Sequence, residues 1–224
     1  MRHPLTEDMT EAETAVPAGA TRPIVVDRAP RPPGRSVATD LELIFPVVNG
    51  EDEVPAQLAD AASSLLALDV SVGIAVVDGG SSDRTIEAVD EVAAESLVPI
   101  RVLGSSTPGW GPGARRGVAT SRARWVGFGR LSPFDRQTVG VLNHAARLLG
   151  DGQHIVCAAA EGQRLTVVET PVARLLFDDG LPDGPGFVPR LPDTARHAGL
   201  RMAATGSTGT AERASTVLFP KVSL

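Results

Sequence analysis

Hydrophobic positions along the chain fall into an alternating pattern that starts abruptly at Leu41. Residues 41–48 form an almost unbroken apolar run, the signature of a strand buried on both faces, and Asn49-Gly50 ends it. Apolar residues then recur at helical spacing through Val54, Leu58, Ala61, Ala62, Leu65 and Leu66, which predicts a helix over 54–68. Residues 72–77 read as a second strand, 78–83 as a turn, 85–94 as a helix and 98–103 as a third strand. A glycine-rich loop over 104–113 leads to a short helix at 114–122, a strand at 124–128, a helix at 133–149 and a strand at 154–158. Beyond that the signal weakens to a strand over 164–168, a helix over 171–177, a loop over 178–192 and a last strand at 217–219. Strands alternating with helices predict an α/β fold, an open and mostly parallel sheet with helices on both faces. Ligands of such sheets bind outside the carboxyl ends of the strands, here Val48-Asn49, Asp78-Gly79 and Phe128-Gly129-Arg130.

The first 39 residues lie outside this pattern. They are rich in Pro, Ala, Thr and charge, a composition that cannot offset the entropy of ordering, and a disordered tail is expected. Ile24-Val25-Val26 is the one apolar island there, a candidate edge strand. Residues 40–224 are expected to form a single domain.

Composition narrows the function classes. The net charge is −6, and tyrosine is absent, so neither the basic face nor the stacking platform of a nucleic-acid binder is expected. No apolar run is long enough to span a bilayer and the start of the chain is polar and acidic, which predicts a soluble, cytoplasmic protein. The single cysteine, Cys157, sits among Ile155, Val156 and Ala158 and reads as a small core residue rather than a reactive thiol. His3, His144, His154 and His197 show no metal-ligand spacing and read as structural or exposed. The composition, heavy in Ala, Arg, Gly and Val, is that of a GC-rich bacterial gene.

Candidate chemistry gathers at the strand ends. A carboxylate there, such as Asp78 or Glu51, can accept hydrogen bonds from a base N–H or a ribose hydroxyl. Gly79 and Gly80 would let the backbone approach a ligand. Ser82 and Asp83 read as capping residues of the helix that follows.

Three segments carry a resemblance. Pro46-Val47-Val48-Asn49-Gly50-Glu51-Asp52 is similar to a P-x-x-N-E-E pattern. Val76-Val77-Asp78-Gly79-Gly80-Ser81-Ser82-Asp83-Arg84-Thr85 is similar to V-V-D-x-G-S-x-D-x-T. The stretch from Gly109 to Ala119 resembles a G-x-G-x-A-x-N-x-G helix and runs into Trp125-Val126-Gly127-Phe128. In this order they resemble the family-two inverting nucleotide-sugar glycosyltransferases of the GT-A fold, over about residues 41–149. The resemblance implies a GT-A-like sheet with a Rossmann-like nucleotide-binding half, the nucleotide-binding part of the domain over about 41–150 and an acceptor-side part over about 151–224. It also implies a nucleoside diphosphate sugar as donor and partner, and Pro46, Asn49, Glu51, Asp78, Gly79 and Gly80 as nucleotide-binding residues.

The chain departs from the family in three places. The fourth strand of the family ends in Asp-x-Asp, which holds a divalent cation; here Arg130 and Ser132 take those positions, or the motif is deleted. No metal ligands are expected. The usual Asn of the third motif is Arg115, followed by Arg116. Two readings follow: Arg115 and Arg130 bind the diphosphate directly, as a guanidinium fork suits, or the site has decayed and the domain is a scaffold or partner-binding homologue. A repurposed enzyme in the same cleft is a third. The catalytic base is not identifiable from sequence, with Glu169, Asp178, Asp179 and Asp183 as candidates by position.

Overall fold

The computed structural model describes residues 39–132, 134–178 and 194–206. The predicted tail with its 24–26 island, most of the 178–192 loop, the 217–219 strand and His3 lie outside the described residues. Seven strands form one sheet: β1 (Leu41–Val47), β2 (Val72–Asp78), β3 (Ile100–Gly104), β4 (Trp125–Phe128), β5 (Ile155–Ala160), β6 (Gln163–Glu169) and β7 (Met202–Gly206). Five helices join them: α1 (Val54–Leu65), α2 (Thr85–Glu95), α3 (Trp110–Thr120), α4 (Arg136–Gly150) and α5 (Thr170–Asp178). The strand order is β3-β2-β1-β4-β6-β5-β7. β1 to β4 run parallel, β6 is antiparallel to both β4 and β5, and β7 pairs parallel with β5.

The apolar run of β1 is buried because both faces are covered. Leu41, Leu43 and Phe45 pack with Leu58 and Leu65 of α1, Val89 of α2 and Leu142 and Leu149 of α4. Ile44, between them in sequence, turns to the other face and packs with Ala114 and Val118 of α3 and Leu176 and Phe177 of α5. Side chains of a strand alternate between faces, so a two-sided sheet needs an unbroken hydrophobic strand.

α3 begins at Trp110, four residues before the predicted start. Its Gly-Trp-Gly-Pro-Gly opening has poor helix propensity and reads as loop, but the packing demands small residues there. A Cβ on Gly113 would lie 2.9 Å from Cβ of Pro46, and one on Gly117 would lie 2.5 Å from Cγ2 of Ile44. The helix thus lies almost on the backbone of β1, a position that favours glycine over better helix formers.

Glu42 of β1 is the one buried carboxylate among the described residues. Arg101 of β3 reaches over β2 to it, with Nε 2.6 Å from Oε1 and Nη2 2.8 Å from Oε2. The same guanidinium donates to Oγ1 of Thr120 at 2.8 Å and to the carbonyl of Gly117 at 3.2 Å, tying the end of α3 to the sheet. No described helix is long and apolar enough to cross a membrane.

Candidate functional site

The sheet is wound in two directions from β1. The chain runs outward through β2 to β3 and then returns through α3, on the opposite face from α1 and α2, to place β4 on the other side of β1. The ends of β1, β2 and β4 meet at the carboxyl edge, the place where open α/β sheets hold ligands. Helices α1 to α4 all begin at this edge, so the positive ends of their dipoles gather there.

Two loops follow β1 and β2 at this edge, and six hydrogen bonds stitch them together. The amide of Asn49 donates to Oγ of Ser81 at 2.9 Å, Gly50 to Oγ1 of Thr85 at 2.8 Å and Glu51 to Oδ2 of Asp83 at 3.1 Å. In return the amide of Ser82 donates to Oδ1 of Asn49 at 2.8 Å, with its hydroxyl at 3.4 Å, and the amide of Arg84 donates to Oε2 of Glu51 at 2.8 Å. Asn49 adopts a left-handed backbone with φ of 49°, which asparagine tolerates better than most residues.

Asp78 ends β2, opposite Val47 of β1, and is half-buried. Its carboxylate accepts from the amides of Gly80 at 3.2 Å and Ser81 at 3.0 Å, so it also shapes the turn that follows. Glu51 lies on the adjoining loop, exposed, and its carboxylate meets the first turn of α2 through Arg84. The capping reading for this region shifts accordingly. Arg84 occupies the cap position, while Glu51 from the neighbouring loop and Asp83 supply the oxygens; Ser82 instead binds Asn49. Asp83 accepts a short bond from the hydroxyl of Thr85, and that bond above all holds its carboxyl below the usual range.

The two glycines differ. A Cβ on Gly79 would lie 2.6 Å from Cγ2 of Val48, so this glycine lets β1 and β2 close up at their ends. Gly80, with φ of 96° and open space around it, is the one that turns the chain. Pro46 is half-buried beneath Gly113 of α3 and serves packing there. α3 starts next to Gly79, and its cap residue Gly109, at φ of 117°, has no side chain to cap the first turn.

On the other side of β1, Gly129, Arg130, Leu131 and Ser132 follow β4. Arg130 is exposed at the carboxyl edge. Gln163, buried at the start of β6, donates from Nε2 to the carbonyl of Arg130 at 3.1 Å and to Oγ of Ser132 at 2.8 Å. Sequence reasoning missed Gln163, since a polar residue at a strand start carries no pattern of its own. Further along, Phe134 is held by α1: its amide donates to Oδ2 of Asp60 at 2.9 Å and its carbonyl accepts from Oγ of Ser64 at 3.0 Å. Asp135 caps α4, accepting from the amide of Thr138 at 2.7 Å and its hydroxyl at 2.8 Å, and these bonds lower its pKa.

Arg115 and Arg130 stand on different elements, one in α3 and one just after β4. Arg115 and Arg116 are exposed in mid-α3, and Arg115 is rotated about 200° from Gly113 and Gly117, away from the sheet. Glu169 pairs with Trp125 at the start of β4, so it stands at the amino edge, the far end of the sheet from Asp78 and Arg130. That position removes it as a base for chemistry at the carboxyl edge. Two grooves of about 330 and 440 Å³, one between α1 and α2 and one beside Arg122, Arg124 and Arg174, also lie at the amino edge. His154 accepts the amide of Arg201 at 3.0 Å and His144 lies 3.2 Å from the hydroxyl of Thr205, so both histidines serve the placement of β7. Cys157 is half-buried on β5, and burial pushes its thiol pKa up.

No family model matches the chain, and no curated protein matches it in sequence. Solved structures do match in shape. Glucosyl-3-phosphoglycerate synthase from Mycobacterium tuberculosis, in complex with Mg²⁺ and uridine diphosphate, superposes with a TM-score of 0.54 over 75% of this chain and 69% of its own, at 19% identity. A mycobacterial protein matches with a TM-score of 0.55 over 84% and 76%, at 22% identity. A mannosyltransferase from Pyrobaculum calidifontis, in complex with GDP-Man and Mn²⁺, matches with a TM-score of 0.56 over 76% and 56%, at 15% identity. The fold is that of the GT-A glycosyltransferases. Within it, the side chains at the end of β4 do not fit a divalent cation. They offer an exposed guanidinium and a hydroxyl already engaged by Gln163, where a hard cation needs anionic oxygens. Among the described residues no three His, Cys, Asp or Glu side chains form a group able to hold a metal ion.

Proposed function

We propose that the protein binds a nucleoside diphosphate sugar at the carboxyl edge of the sheet, over the ends of β2, β1 and β4, and transfers the sugar, with inversion, to a small or lipid-linked acceptor. The observation that carries this reading is the placement of Asp78 at the end of β2 and Arg130 just after β4, on either side of β1 at the carboxyl edge. The GT-A shape and the nucleotides held by the matching structures support it.

In this reading the Asn49–Glu51 and Asp78–Gly80 loops receive the nucleoside. The carboxylate of Asp78 accepts from the base or ribose, and the uncapped start of α3 beside Gly79 adds amide donors for the first phosphate. Arg130 meets the diphosphate with a rigid fork of N–H donors and stabilises the charge that grows on the leaving group. Arg115, on the outer face of α3, contributes to the field around the site rather than to a direct contact. The acceptor hydroxyl needs a carboxylate to take its proton. Phe177 near the end of α5 packs on Phe128 at the end of β4, with ring centroids 5.5 Å apart, while Asp179 and Asp183 lie outside the described residues. Asp178, Asp179 and Asp183 remain the candidates for the base.

The test is calorimetric titration of UDP, GDP and dTDP, and of uridine, guanosine and thymidine, with and without EDTA, into wild type and Arg130→Ala. Affinity for one diphosphate should survive EDTA. Arg130→Ala should weaken that diphosphate at least about tenfold, the worth of a charge-assisted bond, and leave its nucleoside unchanged. Strict dependence on a divalent ion would overturn the guanidinium role, and absence of binding under every condition would overturn the nucleotide site.

A further inference from the structure

Arg130 is exposed, yet the backbone on which it stands is held from two sides. We infer that Gln163 is a positioning residue that fixes the β4–α4 loop so that the Arg130 guanidinium is presented, already oriented, to a diphosphate. The inference rests on the reading of Arg130 as a diphosphate ligand.

Gln163 opens β6 directly after the turn that joins it to β5, where Ala160 and Gln163 pair. Its side chain is 3% exposed, so each of its polar atoms must find a partner within the protein. Oε1 accepts the amide of Arg164 at 3.0 Å, which fixes the orientation of the amide group. Nε2 is thereby turned toward the loop and uses both of its hydrogens on it, one for the carbonyl of Arg130 and one for Oγ of Ser132. The two bonds straddle Leu131 and set the course of the chain through it. Gly129 tightens the same junction: a Cβ there would lie 2.4 Å from Cδ2 of Leu165 and 3.0 Å from the carbonyl of Arg164. On the far side, Asp60 and Ser64 of α1 hold both backbone polar groups of Phe134, and its ring meets Phe45 edge-on at 6.0 Å.

A loop clamped at Gly129–Ser132 and again at Phe134 has little freedom left to lose. A long side chain on a mobile loop spends part of its binding energy on ordering the backbone beneath it, and here that ordering precedes the ligand. None of these contacts touches the guanidinium, so the role of Gln163 is to place Arg130, not to bind ligand.

The experiment is a double-mutant cycle on the full-length protein, with UDP and uridine, and GDP and guanosine, as calorimetric probes. Gln163→Leu should weaken the diphosphate by about five- to tenfold, the usual effect of losing a net hydrogen bond or two, and leave the nucleoside unchanged. In the Arg130→Ala background Gln163→Leu should have no further effect on the diphosphate, because the group it places is gone. Ser132→Ala removes one of the two Nε2 acceptors, perturbs the core less, and should show the same selective loss at smaller size, so the cycle stands even if Gln163→Leu folds poorly. Equal loss of nucleoside and diphosphate, or a Gln163 effect that persists undiminished without Arg130, would overturn the positioning role while the nucleotide site stands. Wild type that binds none of UDP, GDP and dTDP would overturn both.

Discussion

Replacing Arg101 with methionine should destabilise the protein strongly, and replacing its partner as well should restore most of the loss. Glu42 is 8% exposed, and both of its carboxylate oxygens are bonded by the Arg101 guanidinium. Methionine keeps the length of the arginine stem but supplies no donor, so Arg101→Met strands the carboxylate against α3. Removing one member of a buried pair typically costs about 3–5 kcal/mol. The Arg101 side chain is 31% exposed, which lets water replace part of what is lost, so the lower end, about 3 kcal/mol, is the working figure. For a domain of this size that is a drop in Tm of roughly 6–12 °C. The double variant Glu42→Leu with Arg101→Met has no buried charge, and such replacements of a pair by apolar residues are often neutral or stabilising, so it should lie within about 1 kcal/mol of wild type. Urea denaturation followed by circular dichroism, with linear extrapolation, measures all three differences. The reasoning fails if Arg101→Met unfolds at the wild-type midpoint, or if the double variant is no more stable than the single one.

Acid should act through the carboxylates that hold helix starts. The folded-state pKa values of Asp83 and Asp135 are lowered by the bonds they accept from Thr85 and Thr138, so the stability they contribute is present above about pH 4, the unfolded value, and is lost as pH falls through the folded values. Asp135→Ala should lower Tm at pH 7 by an amount worth about 1 kcal/mol, and its Tm deficit against wild type should shrink as pH falls below the unfolded carboxylate range; a deficit that stays constant as pH falls would contradict the capping role. Cys157, its thiol pushed up by burial, should react with a disulfide reagent at pH 8 far more slowly in the native protein than in urea, and equal rates would show an open thiolate.

The hydrophobic pattern was enough to place β1 to β5, because a sheet covered on both faces imposes long apolar strands and amphipathic helices that are hard to mistake. The position of Asp78 at a strand end was legible for the same reason. Three features were not. The antiparallel direction of β6 depends on the short turn between Ala160 and Gln163, and an apolar strand reads alike in both directions. β7, from Met202 to Gly206, is made of small residues with no clear alternation, and it exists because β5 offers it an edge and His154 holds its approach. The start of α3 was hidden by glycines that propensity assigns to loops and that the contact with Pro46 and Ile44 requires. In the candidate site, residue types were readable but their partners were not. Glu51 has the chemistry of a ribose ligand, and nothing in its own segment announces that Arg84, thirty-three residues on, will take one of its oxygens.

The stitching of Asn49–Glu51 to Ser81–Thr85 has a consequence for how genetic data on this protein should be read. Those two segments move, tilt and fail as one piece, so harm done to either is felt by both. A serine such as Ser82, whose bonds all run sideways to Asn49, would score in a mutational scan alongside residues that grip a substrate. Compensating changes, conversely, should arise in pairs drawn from opposite segments, for instance at Asn49 with Ser82 or at Glu51 with a residue of the first turn of α2. Covariation of that kind would trace the seam between two loops rather than the outline of a ligand.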